Sequence, residues 1–591
     1  MNSQENLINF RKNLVTIFLL AILFLFIGLV INFYFLIQLP HPIFIIHFES
    51  EPFPQEDNLL IQFAFYLLEF FSGDWGNSYW RNMPVLELAR CTVLRMFEIM
   101  IIPLIVGLIL GKYLGRKTER VGRSNIKKTI NILIGIGVIP IFFWFGCLIQ
   151  YWFLDFEWYS GYEPPLVTGS LLIDSMIAGQ WSYTTEVFLR YIIPILFLTA
   201  SITAFIAKQR IRKSSGTIID NSIISNTLRT GMNFSMIFMY YILIDRIFNL
   251  RGFSYHFLRA LKGFDYFTLK GLMFMILVVF LIVILISNHK LVIIRYLQKE
   301  RSVIEITQKI QDEGVGKNLK RDFKDGITLL KRYFFDRLKS PFTIIGLIIM
   351  AFFITISVFP QIITPYSAED ALDPDFSGSW NPPSSEHPLG QIYYGFDLLA
   401  HLIYGVRGAL ITGGIAILIG LIGGLSFGII ASQFKRSDKL LTLGFMVPFY
   451  IFPNIIIAII MATIAYDNYS TLVFIIGILL IPMFTWKIAH TKPKFTDITR
   501  ELIIYIPWAF IFAIFLYTVV GFLGFLYFKD YNLGFIIYKA YDYSLDLEHY
   551  KGVFWPGLTL ISIMIGFLLV HQGLKEVNHH AQNLTRNTNN V

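Results

Sequence analysis

Cysteine is nearly absent: Cys91 and Cys147 are the only two in 591 residues. This excludes a disulfide framework or a cysteine metal cluster and leaves helix packing to hold the fold. Charge is scarce as well. Asp, Glu, Lys and Arg supply 15% of the chain, against about 25% in an ordinary soluble domain. Catalytic constellations are also missing. The stretch from Gly314 to Asn318 imitates a phosphate loop, but its first glycine is misplaced and Asn318 stands where a hydroxyl residue would hold magnesium. His579 and His580 are neighbours and point apart on a helix, which makes a poor metal site. No serine, histidine and acid arrangement is apparent, so the chain is not expected to be an enzyme, nor to hold a metal or cofactor of its own.

What is abundant is apolar surface: 55% of residues are hydrophobic and 16% aromatic. Long apolar runs fall at 13–39, 92–114, 129–153, 187–207, 234–248, 271–287, 341–363, 409–432, 440–465, 472–486, 502–527 and 554–574. A helix of about 20 apolar residues crosses the roughly 30 Å of bilayer hydrocarbon and satisfies its own backbone. The pattern predicts an all-α, polytopic membrane protein of about twelve spans. The first run is too long for a signal-peptide core and lacks a small-residue cleavage site, so it reads as a retained helix.

The net charge of +9 is explained by loop alternation. Arg11 and Lys12, then Lys112, Arg116, Lys117, Arg120 and Arg123, then Lys208, Arg210, Arg212 and Lys213 make one set of loops basic. Lys435, Arg436, Lys439, Lys487, Lys492, Lys494 and Arg500 continue it. The intervening loops are acidic, with Glu49, Glu51, Glu56, Asp57, Glu69 and Asp74, and later Asp155, Glu157, Glu163 and Asp174. Basic loops stay inside, so both termini are expected in the cytoplasm of a protein of the cell membrane. A nucleic-acid partner is not implied, because the one long polar stretch mixes lysine and arginine with Glu300, Glu305, Asp312, Glu313, Asp322, Asp325 and Asp336. That stretch divides the chain into a first half at 1–290, a charged cytoplasmic linker at 291–338 and a second half at 339–591, each half with six expected helices. Paired halves are a common way to enclose a transport path.

Gly413, Gly414, Gly420, Gly423, Gly424 and Gly428 share one run and predict close helix contact. Pro448 and Pro453 predict a kink in the next. Asp245 and Arg246, ionisable residues at a helix end, are expected at the membrane interface, with pairing to each other or a place facing the pathway as the other readings.

From Arg332 onward the chain resembles the second permease subunit of the oligopeptide, dipeptide and nickel ABC importer family. The likeness rests on His387, Pro388, Leu389 and Gly390, then Gly395, Phe396 and Asp397, then Tyr404, Gly405 and Arg407, in the order and spacing of that family's external signature. Phe396 stands where the family usually has arginine. Phe522-Leu523-Gly524, Trp555-Pro556-Gly557 and His571-Gln572-Gly573 continue the match. The first half is similar to the partner subunit through Gly73 to Ser78, Pro84 to Leu88, and Asp245, Arg246, Gly252, Asp265 and Gly271. The resemblance implies two MetI-like six-helix transmembrane bundles fused in one chain. It also implies separate ABC ATPase subunits that bind ATP, an extracytoplasmic solute-binding protein delivering to the outer loops, and import of peptides or similar small solutes.

In this family a short cytoplasmic helix in each half seats in the ATPase. The first half offers 219–231, with Asp220, Ser225, Thr227 and Gly231 at the relevant places; the glycine matches and the small residues do not. Between Trp486 and Glu501 the second half has room only for a basic turn, about twenty residues short of a coupling helix of several turns. This leaves a second expectation: a transport-inactive or regulatory membrane scaffold derived from such a permease.

Overall fold

A computed structural model describes residues 2–38, 58–120, 125–138, 141–152, 164–165, 167–214, 223–297, 340–433, 453–465, 469–489, 495–526, 531–543 and 549–588. Most of the linker, Asp220, Pro448 and 314–318 lie outside the described residues.

The helices are α1 (Asn2–Gln38), α2 (Leu59–Ser72), α3 (Val85–Arg120), α4 (Asn125–Val138), α5 (Ile141–Trp152), α6 (Leu171–Ile177), α7 (Trp181–Ser214), α8 (Ile223–Ile247), α9 (Phe253–Lys262) and α10 (Tyr266–Leu297). They continue as α11 (Pro341–Val358), α12 (Leu398–Gln433), α13 (Asn454–Ala465), α14 (Tyr469–Ala489), α15 (Phe495–Phe522), α16 (Leu533–Tyr543) and α17 (Tyr550–Thr588). The all-α expectation is borne out. Among the described residues nine helices are long and apolar enough to cross a membrane, and α4 with α5 would make a tenth as a broken pair. The expected span at 234–248 lies in α8, and the described part of the one at 440–465 is the short α13.

The chain forms two compact units. The first gathers Met1–Arg120, Asp155–Val303 and Gly444–Ile464; the second gathers Val121–Leu154, Ile304–Leu443 and Ala465–Val591. In the first unit α1 runs antiparallel to α10, with Ile17 packed on Val292 and Gly28 against Leu277. Helix α3 lies on α7 through three glycines one turn apart. A Cβ on Gly107 or Gly111 would stand 2.7 Å from Ile202 or Ile206, and one on Gly115 would stand 2.7 Å from Arg210. In lipid, where apolar contact alone does not favour association, such small residues let backbones close up. Helix α13 joins this unit, its Asn454 N–H donating to Ser235 Oγ at 3.0 Å.

The second unit repeats the device. Helix α12, like α3, has 36 residues, and its Gly420, Gly424 and Gly428, at the helical positions of Gly107, Gly111 and Gly115, face Leu480, Phe484 and Ile488 of α14. Helix α11 packs on α17, where Gly346 meets Val570 and Gly573 meets Thr343. Helices α4 and α5 also pack on α17: Trp144 Nε1 donates to Val553 O at 3.1 Å, its ring fills the notch at Gly557, and Leu568 fits Gly135.

Candidate functional site

Between α11 and α12 the chain is folded into short 3-10 turns at Pro360–Ile362, Asp370–Leu372, Phe376–Gly378 and Tyr393–Gly395. The signature residues organise this segment. Asp397 stands one residue before α12, and its Oδ2 accepts the Ala400 N–H at 2.7 Å, the N-cap bond that satisfies an otherwise orphaned amide. Its Oδ1 lies 3.0 Å from His387 Nδ1. The His387 ring stacks on Tyr366 at 5.8 Å with the planes 7° apart, and Tyr404 donates to Tyr366 O at 2.9 Å. Burial, then Asp397 and Glu386, push the Tyr366 phenol up.

Gly390 and Gly395 have φ of 80° and 77°, a region that disfavours residues with a Cβ. A Cβ on Gly395 would also collide with Asp375 O. Gln391 closes the turn by donating from Nε2 to Gly395 O at 2.8 Å. The segment is tied to α17 by Lys551, which donates to Trp380 O at 3.0 Å and to Asn381 O. The signature therefore brings His387, Asp397 and Tyr404 into one bonded cluster. Gly405 serves instead as a contact for Leu533, and Pro388 and Arg407 are exposed. Phe396 is buried with its ring stacked on His401, 4.9 Å between centroids.

The first unit secures the segments between its long helices with buried carboxylates. Asp265 precedes α10 and accepts from Ser78 Oγ at 2.9 Å, Tyr79 N–H at 3.1 Å and Thr268 Oγ1 at 2.8 Å. Asp245 is fully buried. Its oxygens are taken by the Gly252 N–H at 3.0 Å and by the Ser254 N–H and hydroxyl, both at 2.6 Å, so it caps α9, where pairing with Arg246 or a place facing the pathway were the other readings. Asp174 accepts from Thr168 N–H and hydroxyl, both at 2.7 Å, and from Gly169 N–H at 2.9 Å. Burial pushes its carboxyl up, but these bonds outweigh burial and hold it below the usual range.

Two further residues were not singled out from the sequence. Arg95 of α3 donates to Gly169 O and Arg251 O, both at 3.2 Å, and Glu98 accepts the Leu171 and Leu172 N–H at 3.2 and 2.9 Å. A charge pair inside an apolar run is a readable signal for such a role.

At the other end of α8 from Asp245, Ser225 falls in the first turn. Thr227 is buried and accepts from Asn288 Nδ2 at 2.8 Å; Asn226 donates to Ser287 Oγ at 3.0 Å and to Asn288 Oδ1 at 2.8 Å; Thr230 pairs with Ser287 at 2.8 Å. Gly231 is buried in the same helix. The described part of the expected coupling segment is thus the start of α8, bonded to α10. In the second unit α14 ends at Ala489 and α15 begins at Phe495, with Lys487 Nζ 2.7 Å from Glu501 Oε2.

No protein-family model matches the chain. Over 146 residues it is 31% identical to the dipeptide transport system permease protein DppC of Alkalihalophilus pseudofirmus, a stretch covering 25% of this chain and 47% of the relative. Over 131 residues it is 28% identical to the glutathione transport system permease protein GsiD of Pectobacterium atrosepticum, covering 22% of this chain and 43% of the relative. The chain spans about half the length of the curated relatives it matches. The likeness to ABC importer permeases read from the residues is borne out by both.

Proposed function

We propose that the chain is the transmembrane permease component of an ABC importer for peptides or similar small solutes, and that it forms the translocation path while separate ATPase subunits supply energy. The observation that carries this reading is the likeness to two peptide-type permeases, joined to a helix pair that occurs twice: α3 with α7, and α12 with α14, packed through matching glycines. Two related halves, 1–290 and 339–591 about the linker at 291–338, are what alternating access requires, since two similar packings exchange roles as the path opens to each side. An extracytoplasmic binding protein delivers the solute. The membrane is the cell membrane, with both termini cytoplasmic by the loop charges.

The ATPase contact falls to the first half, because α14 and α15 are separated by only the residues 490–494. The test is uptake of a labelled dipeptide by cells that lack other peptide permeases and express the chain with candidate ATPase and binding-protein subunits. Uptake is expected to need all components, to stop when ATP is depleted and to survive a protonophore. Uptake that collapses with the proton gradient while ATP is maintained overturns the reading, as does an ATPase that never co-purifies with the chain.

A further inference from the structure

Helix α2 carries one charge, Glu69, in fourteen residues. Its inner side lies on α1 and α10: the Phe63 ring is 5.1 Å from Phe33 and 6.1 Å from Phe26, Tyr66 is 5.1 Å from Phe274, and Phe70 is 4.8 Å from Phe274. Tyr66 is also 5.2 Å from Phe33, so Phe33 and Phe274 flank one ring and Phe63 and Phe70, packed on them, sit at similar depth; Phe274 lies two turns inside α10, about 12 Å from its start. The outer side is bare hydrocarbon. Leu60, Leu68 and Phe71 are 77%, 65% and 71% exposed, alongside exposed Phe26, Val30 and Tyr34 of α1. Water is a poor neighbour for a surface of this kind. At about 21 Å the helix is too short to span a bilayer.

Its polar groups are closed as an apolar medium demands. Asn58 Oδ1 accepts the Leu60 N–H at 3.0 Å, Gly73 N–H donates to Glu69 O at 3.2 Å, and Trp75 Nε1 donates to Phe70 O at 3.4 Å. Glu69 lies 2.7 Å from the buried ammonium of Lys270, so its charge is not left alone in hydrocarbon.

We infer that α2 is an in-plane membrane helix whose outer face is covered by phospholipid acyl chains, continuing the lipid-facing surface of α1. This holds whether or not the chain transports peptides. Helices of this sort sink about 5–10 Å into the boundary between headgroups and chains, so a shallow label reports on them.

The experiment places bimane at Leu60→Cys, Leu68→Cys and Phe71→Cys in the full chain, with Cys91 and Cys147 replaced by alanine. The protein is held in phosphatidylcholine nanodiscs containing 5-doxyl phosphatidylcholine, and Asp373→Cys, exposed in another segment, is the aqueous control. The three sites are expected to be quenched by the doxyl lipid about threefold more than the control, as shallow burial requires, and to be spared by iodide. Iodide quenching equal to the control overturns the inference, since the face is then in water. Protection from both quenchers also overturns it, since protein then covers the face. A diazirine phosphatidylcholine photolabels the unaltered chain as a mutation-free check: adducts on 59–72 support the inference, and their absence while α1 is labelled overturns it.

Discussion

Replacing Asp397 by alanine removes the acceptor for the Ala400 N–H and the partner of His387 Nδ1 in one step. Losing an N-cap costs about 0.5–2 kcal/mol, and leaving a buried amide without an acceptor sits at the upper end of that range. The loss is local, at the first turn of α12, so hydrogen exchange reads it better than global unfolding. Each 1.4 kcal/mol is a factor of ten, so a loss of 1–2 kcal/mol predicts roughly 5- to 30-fold faster exchange for a peptide covering 398–404. His387→Ala is expected to speed the same peptide less, because Ala400 keeps its acceptor. The double variant is expected to match Asp397→Ala within about twofold, since contacting residues are coupled. Unchanged exchange in Asp397→Ala, or effects of the two changes that simply multiply, would refute the bonded-cluster account of the signature.

Two other perturbations have definite signs. Gly111→Leu and Gly424→Leu each force a side chain against the facing helix, where overpacking costs about 1–3 kcal/mol. Faster thermal inactivation in detergent is expected for both and not for Gly414→Leu, whose Cβ meets nothing within 4 Å; equal behaviour of all three would sink the helix-pair reading. Burial, then Arg95, Arg81, Arg259 and Arg251, push His256 down to about 3. The unfolded chain takes up a proton near pH 6.5 that the folded chain refuses, so stability falls as pH drops from about 6.5 toward 3, by roughly 1.4 kcal/mol per unit. His256→Phe should flatten thermal stability between pH 7 and 5, and an unaltered slope would count against the buried neutral histidine.

The apolar runs were legible because a bilayer imposes one length and one backbone on every span. The signature was legible as an ordered string, and the structure supplies its reason: two left-handed glycines and an N-cap brought against His387. The glycine run of α12 was readable, but its division of labour was not. Gly420, Gly424 and Gly428 face α14, Gly413 faces Phe510 and Gly414 faces nothing, and only three dimensions separate them. Arg95 and Glu98 are marked in the sequence as charges inside an apolar run, but what they bond is not: their partners are backbone groups some seventy or more positions away, and main-chain carbonyls and amides leave no mark in a sequence. Helix α2 is too short to register as a span. The packing of α4 and α5 on α17 depends on one indole meeting one notch, Trp144 at Gly557, which no local pattern announces.

The duplicated helix pair has a consequence for how each copy is free to change. Free subunits of like shape can pair with themselves, since self-complementary dimers are the commonest assemblies. Carrying both copies of the pair on one polypeptide fixes their ratio at one to one. A substitution in one copy then never has to be tolerated twice. The eleventh and fourteenth places of the two 36-residue helices differ in this way: one copy holds Arg95 and Glu98, the other Gly408 and Ile411.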